Sequence, residues 1–218
     1  MIKNFKDDIK RILFEDNDII VCVKPVGKDS EGFAKEIGCF PVHRLDKPVG
    51  GVMVFAKTKK AAAVLSDAVA KGQVSKKYIA VLCGDIAEKS GELRDFLYHD
   101  VRANKTFVVK KERKGVKEAV LKYNIVGSAE HKGQTVSLGE IELITGRSHQ
   151  IRVQFGSRKN PLWGDGKYGS RINGEIALFS HCLEFYHPTG GEKMVFNALP
   201  CEKELPWALF AENLPGEN

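Results

Sequence analysis

The stretch PVHRLDKPVGG, residues 41–51, sets one carboxylate, Asp46, among His43, Arg44 and Lys47. Pro48 and the glycines at 50 and 51 imply a tight, defined loop running straight into an apolar strand. A carboxylate in such a loop is held still, and its cationic neighbours favour the charged form. An immobilised, ionised carboxylate is a competent nucleophile or general base. Taken alone, an Asp-Lys-Pro loop is more often a turn aspartate that bridges to Arg44. A second stretch shifts that balance. ITGRSHQIRVQF, residues 144–155, gathers Arg147, His149 and Arg152 within six residues. The planar guanidinium forks suit a carboxylate or a phosphate. On a helix, His149 and Arg152 would lie on neighbouring turns of one face, and the competing reading is an amphipathic helix with a solvated basic side. A third stretch, KKYIAVLCG at 76–84, opens an apolar strand with Tyr78 directly after two lysines. An aromatic beside cations is a platform on which a nucleobase can stack, although a strand tyrosine more often fills a core.

These residues need elements to position them. DIIVCVKP (18–25) is a compact apolar run closed by proline and predicts a strand, as does GVMVFAK (51–57). The period then changes. In residues 58–72, Ala61, Val64, Leu65, Ala68 and Val69 fall on one helical face, with Thr58 as cap and Gly72 as stop. KKYIAVLCG predicts a further strand. In the second half KTFVVKK, EAVLKYNIVG and QTVSLGEIELITG predict successive antiparallel strands, and ALFSHCLEFYHP and MVFNALP the last ones. Ile151 and Phe155, four apart in SHQIRVQFGSR, fit a short helix. Few helices against many strands make an α+β class, with a largely antiparallel sheet carrying helices on its faces.

With 218 residues, 43% of them hydrophobic, the chain can bury a substantial core in one large domain or two small ones. The net charge of +6 and pI near 9.0 favour a polyanionic partner such as nucleic acid. The five cysteines are odd in number and widely spaced, with no Cys-x-x-Cys pair. That argues against a disulfide framework or a zinc knuckle, for a reducing cytosol, and for cysteine mostly as core filler. The N-terminal residues have no uninterrupted apolar core of the kind a signal peptide needs, and no apolar run is long enough to cross a bilayer. A soluble, cytoplasmic protein is the expectation.

In combination, HRLDKPVGG, KKYIAVLCG, ITGRSHQIRVQF and NPLWGDGKYG resemble the successive sequence blocks of the RluA-type pseudouridine synthases. DIIVCVKPVG before them and LFSHCLEFYHPTGGEKMVFNALP after them resemble that family's flanking segments. The likeness runs from about residue 15 to residue 200 in the family's order, and HRLD followed by GRSHQIR is its most specific part. The resemblance implies a pseudouridine synthase fold: a mixed, mainly antiparallel sheet in two halves with flanking helices. It implies an isomerase that converts a particular uridine of an rRNA or tRNA stem-loop to its C-glycoside, with no cofactor and no metal. It also implies one catalytic domain over residues 1–218, without the small basic (S4-like) RNA-binding domain that many relatives carry ahead of it, and no membrane partner. A monomer is expected.

By the same resemblance Asp46 is the essential carboxylate, acting at the target ribose. The target base must be extruded from the folded RNA before that carboxylate can reach its sugar, and Arg44 takes the place the base leaves. Tyr78 stacks on the extruded base and assists proton transfer, Arg152 pairs with the catalytic aspartate, and Ile151 lines the base pocket. Arg147 and Lys47 meet phosphates, which position RNA without reading its sequence. His43 orients the loop through a ring hydrogen bond. One departure stands out: Val49-Gly50-Gly51 replaces the family's usual threonine-serine-glycine, removing two hydroxyls beside the acid. Two other readings compete. One is a non-catalytic RNA-binding protein of the same fold. The other is a metal-dependent hydrolase using His43, Asp46, His149 and His181, which lack any close ligand pair such as His-x-x-x-His.

Overall fold

A computed structural model describes residues 11–216, which form two compact units. Residues 1–10, part of the segment examined for a signal peptide, lie outside that range. The first unit holds residues 11–76 together with Ser180–Ala198, and the second holds Lys77–Phe179 and Leu199–Gly216.

In the first unit β1 (Arg11–Glu15) runs antiparallel to β2 (Ile19–Lys24). A short helix, α1 (Ser30–Glu36), and a two-residue strand, β3 (Phe40–Pro41), lead into β4 (Gly50–Ala56). β2 and β4 pair antiparallel with Val21 opposite Val54. Their near-continuous apolar sequences are buried along almost their whole length, as expected of strands covered on both faces. The predicted helix is α2 (Lys59–Ala70), and Thr58 caps it by accepting from the Ala61 amide at 3.1 Å. Ala61 and Leu65 are buried, but Val64, expected on the same face, is 43% exposed. At 100° per residue Val64 sits some 60° off the line through Ala61, at the margin of a narrow buried stripe.

The second unit is a meander-like sheet. β5 (Ser75–Cys83) precedes β6 (Ser90–Asp100), β7 (Lys105–Val109), β8 (Val116–His131) and β9 (Gln134–Leu143). The spatial order is β5-β9-β8-β6-β7, antiparallel at every step. Lys132 and Gly133, both at positive φ (49° and 73°), make the two-residue turn between β8 and β9. Such a primed turn matches the twist of its strands. The stretch from 148 to 158 does fold as a helix, α3 (Gln150–Ser157), with every residue from Gln150 to Phe155 buried. β6 was not foreseen: its buried Leu93 and Leu97 are four apart, a spacing that does not advertise a strand.

The last two strands, β10 (Leu178–Tyr186) and β11 (Lys193–Asn197), form an antiparallel hairpin, and a 3-10 helix, Trp207–Phe210, follows them. No disulfide joins the five cysteines. Cys22 is core, whereas Cys201 is exposed, so core filling explains only part of the set. Among the described residues no helix is long and apolar enough to cross a membrane.

Within Val49-Gly50-Gly51, the backbone of β4 demands glycine at position 51. Its φ is +130°, and a Cβ there would fall on the backbone of Ser180, whose hydroxyl donates to the Val52 carbonyl at 3.1 Å. Gly51→Ala should therefore cost about 3 kcal/mol or more, from a forbidden dihedral plus overpacking. Gly72→Ala, at φ +71° with nothing within 4 Å, should cost only about 1 kcal/mol. Urea unfolding of the two variants checks the contrast, and equal costs would contradict the close approach.

Candidate active site

Asp46 sits in the first unit on a turn that is tied down from several directions. The Val49 amide donates to the Asp46 carbonyl at 2.9 Å, closing the turn over Lys47 and Pro48. The Gly27 amide donates to the Lys47 carbonyl at 2.9 Å. The Ser30 hydroxyl, at the start of α1, accepts from the Leu45 amide at 2.9 Å and donates to the Leu45 carbonyl at 3.1 Å. Asp29 fixes that end of α1 in turn, accepting from the Gly32 amide at 2.8 Å, and this bond holds its carboxyl below the usual range. Burial alternates through the loop: Val42, His43, Leu45 and Val49 point inward, Arg44 and Lys47 are exposed, and Asp46 is half-buried. The position of the missing threonine is thus a buried valine side chain.

His43 has the orienting role expected of it. Its Nε2 accepts from the Val54 amide of β4 at 3.2 Å, so the ring proton resides on Nδ1, which is buried without a partner. Burial, aided by the charge of Lys76, pushes its pKa down to about 3, so the ring is neutral at pH 7 and serves as a spacer.

One contributor went unnoticed in the sequence. Lys24, at the end of β2, is fully buried, and its Nζ donates to the carbonyls of Pro25 (3.0 Å) and Lys28 (2.6 Å). Burial pulls its pKa down to about 8, against the opposing pull of Asp29 and Asp46. A buried ammonium under the loop therefore supplies positive potential to the carboxylate at position 46. The signal lay in the VKPVG run, where the lysine closes an apolar strand.

The other expected residues lie in the second unit. Tyr78 is on β5 opposite Ile141 of β9 and is only 6% exposed. Ile151 and Arg152 are on α3, exposed by 3% and 4%. Arg147 precedes that helix, and its Nε donates to the Glu118 carbonyl at 2.9 Å. Gln150 organises this corner: its Oε1 accepts from the Arg147 amide (3.0 Å) and the Thr145 hydroxyl (2.9 Å), and its Nε2 donates to the Val120 carbonyl (3.1 Å).

Arg152 has a carboxylate partner that sequence reasoning did not name. Its Nε and one terminal nitrogen grip Asp165 in a fork, at 2.7 and 2.9 Å, with both side chains buried. Asp165 begins the 3-10 turn Gly166–Tyr168, and its carbonyl accepts from the Tyr168 and Ser170 amides. The turn returns Tyr168 to Arg152, with the guanidinium 5.2 Å from the ring centroid. The Tyr168 hydroxyl accepts from the Thr106 amide and bonds His149 Nδ1, both at 2.8 Å. Burial raises the Tyr168 pKa, keeping the phenol protonated. Asp165 and Tyr168 both fall in NPLWGDGKYG, a block noticed for its likeness but not for its chemistry.

Each unit thus holds part of the expected set in a rigid setting: Asp46, Arg44 and Lys47 on one pinned loop, and Arg147, Ile151 and Arg152 around one buried helix start, with Tyr78 on a core strand. Among the described residues no three His, Cys, Asp or Glu side chains form a group able to hold a metal ion.

A family model described as RNA pseudouridylate synthase matches residues 18–157. The tRNA pseudouridine synthase C of Haemophilus ducreyi is 30% identical over 221 residues, covering 86% of this chain and 90% of that protein. The dual-specificity RNA pseudouridine synthase RluA of Haemophilus influenzae is 28% identical over 214 residues, covering 86% and 91%. Ribosomal large subunit pseudouridine synthase D of Vibrio cholerae is 32% identical over 222 residues, covering 86% and 66%. The solved structure of human RNA pseudouridylate synthase domain containing 1 superposes with a TM-score of 0.76 at 22% identity, covering 88% of this chain and 83% of that one, a likeness of fold alone. A matching family model over more than half the sequence, relatives aligned over most of both chains and a shared α+β fold lead to one conclusion: this chain belongs to the RNA pseudouridylate synthase family, as an isomerase of the RluA type.

Proposed function

We propose that this enzyme isomerises a specific uridine in an rRNA or tRNA stem-loop, with Asp46 as its catalytic carboxylate. In the reaction the C1′–N1 glycosidic bond breaks and a C1′–C5 bond forms, while the C5 proton leaves and N1 gains one. No atom or electron enters or departs overall, so residues alone can carry the chemistry. Asp46 acts at the ribose, as nucleophile or as base. Tyr78 stacks on the extruded uracil, Ile151 lines its pocket, and Arg152 works with Asp46 as one functional set. Arg44 occupies the gap in the RNA, and Lys47 and Arg147 meet phosphates. The observation that carries this reading is the Asp46 turn. Its backbone is fixed by Val49, Gly27 and Ser30, while Arg44 and Lys47 stay exposed beside it. A preorganised carboxylate flanked by free cations is what attack on a polyanion requires.

The test is pseudouridine mapping of total cellular RNA from cells with and without this protein. One or a few sites in rRNA or tRNA should vanish in its absence and return with the wild-type chain. An unchanged map would overturn the proposal.

A further inference from the structure

Between Val101 and Lys117 the chain carries seven lysines and arginines and a single acid, Glu112. The net +6 of this segment equals the formal net charge of the whole protein, so the remaining residues balance to zero. Among the described residues none of the seven takes part in an ion pair, and the next acid, Glu118, is held by Arg94 at 2.7 Å. Several exposed lysines elsewhere do have a carboxylate partner: Lys28 pairs with Glu36, Lys71 with Asp67 and Lys89 with Asp85. The excess charge is local and uncompensated.

Its setting is β7 and the loops at either end. β7 is the last strand of its unit, bonded to β6 alone. The register puts Phe107 opposite Tyr98 and Val109 opposite Phe96, so three rings share one face of the hairpin. The opposite face buries Leu97 and Thr106. Phe107 is 42% exposed, and Phe96 and Tyr98 are partly so. Cations flank the rings: Lys105 Nζ lies 5.7 Å from the Phe107 centroid, and Arg113 Cζ lies 5.5 Å from that of Tyr98. Lysines on an open edge also guard against strand-to-strand aggregation. That role does not call for aromatic rings on the outward face, nor for a charge excess that continues through the loop to Lys117.

The geometry points to a binding surface for an unpaired stretch of the substrate RNA, with phosphates on the cations and an unpaired base stacked on the Phe107–Tyr98 pair. Duplex RNA hides its base faces, so stacking selects an unpaired flank. The inference rests on the RNA substrate proposed above and adds where on the second unit that RNA runs.

Fluorescence anisotropy with a labelled single-stranded oligoribonucleotide, and with a duplex of equal length, tests it across a salt series. The quadruple variant Lys110→Gln/Lys111→Gln/Arg113→Gln/Lys114→Gln should flatten the slope of log K against log[salt] by about 3, at roughly 0.7 per phosphate contact on a single strand. Its kcat at saturating substrate RNA should stay that of the wild type, with KM raised. Phe107→Ala should weaken single-strand binding by about tenfold at unchanged salt slope and leave duplex binding alone. Wild-type slope and affinity in the quadruple variant would overturn the inference. So would unchanged RNA binding accompanied by loss of a co-purifying acidic protein, which would make the face a protein-docking surface. If the wild-type enzyme modifies no RNA at all, the failure belongs to the substrate proposal and takes this one with it.

Discussion

Asp46→Asn yields a folded protein that still binds its RNA and forms pseudouridine more slowly by about 10³-fold or more. The substitution keeps the shape of the side chain and removes only the charge and the lone pair that attack or deprotonation needs. The backbone of the turn is held by bonds through main-chain atoms of Asp46 and Lys47 and through Ser30, so the loop persists without the carboxylate. Lys24 loses one of its two favourable neighbours but keeps Asp29 and its two carbonyl acceptors, which limits the loss of stability. Asp46→Glu sharpens the test. One added methylene moves the carboxylate by about 1 Å along a loop that cannot retreat, and misplacement on that scale costs about 10²-fold. Rates from a purified substrate RNA, with binding measured alongside, give both answers. Asp46→Asn within tenfold of the wild type would remove this residue from the chemistry and leave an RNA-binding protein of the same fold as the better description.

The parts of the molecule that were legible in the sequence are those whose signals are local. The Asp46 loop announced itself through Pro48 and two glycines beside a lone acid. α2 showed a helical period with a threonine at its start, and β8 and β9 alternate around a Lys-Gly turn. What stayed hidden depends on partners chosen in three dimensions. α1 is only seven residues long, too short to display a period, and its cap at Asp29 is visible only once the Gly32 amide is placed. Val64 looked like core because periodicity gives a face but not the width of the stripe that neighbours cover. The charge of the chain was legible as a total, not as a place: the surplus sits on one hairpin, which only the β6–β7 pairing makes a single surface. Arg152 was recognised, and its bond to Asp165 was not, because the two lie thirteen positions apart across the end of α3 and the loop after it, and no pattern encodes the return.

That hidden pair carries the second large effect. Asp165→Ala should destabilise the protein by about 3–5 kcal/mol, since removing one member of a buried ion pair leaves the other charge with its desolvation cost and without this fork. For a chain of this size the melting temperature should fall by roughly 6–20 °C. The side chains concerned are 5% and 0% exposed, so solvent cannot take over the lost contacts. Asp165→Asn keeps the acceptor on Nε but halves the fork and removes the charge, and should fall between the alanine variant and the wild type. A third variant separates fold from function. Arg152→Met/Asp165→Leu replaces the pair with apolar groups of similar size, an exchange that is often nearly neutral for stability. It should recover most of the lost melting temperature while remaining inactive, because the packing is restored and the guanidinium is not. If Asp165→Ala melts with the wild type, the fork contributes nothing to the fold. If the apolar pair restores activity as well as stability, Arg152 serves the core alone, and the chemistry must be sought on the Asp46 loop without it.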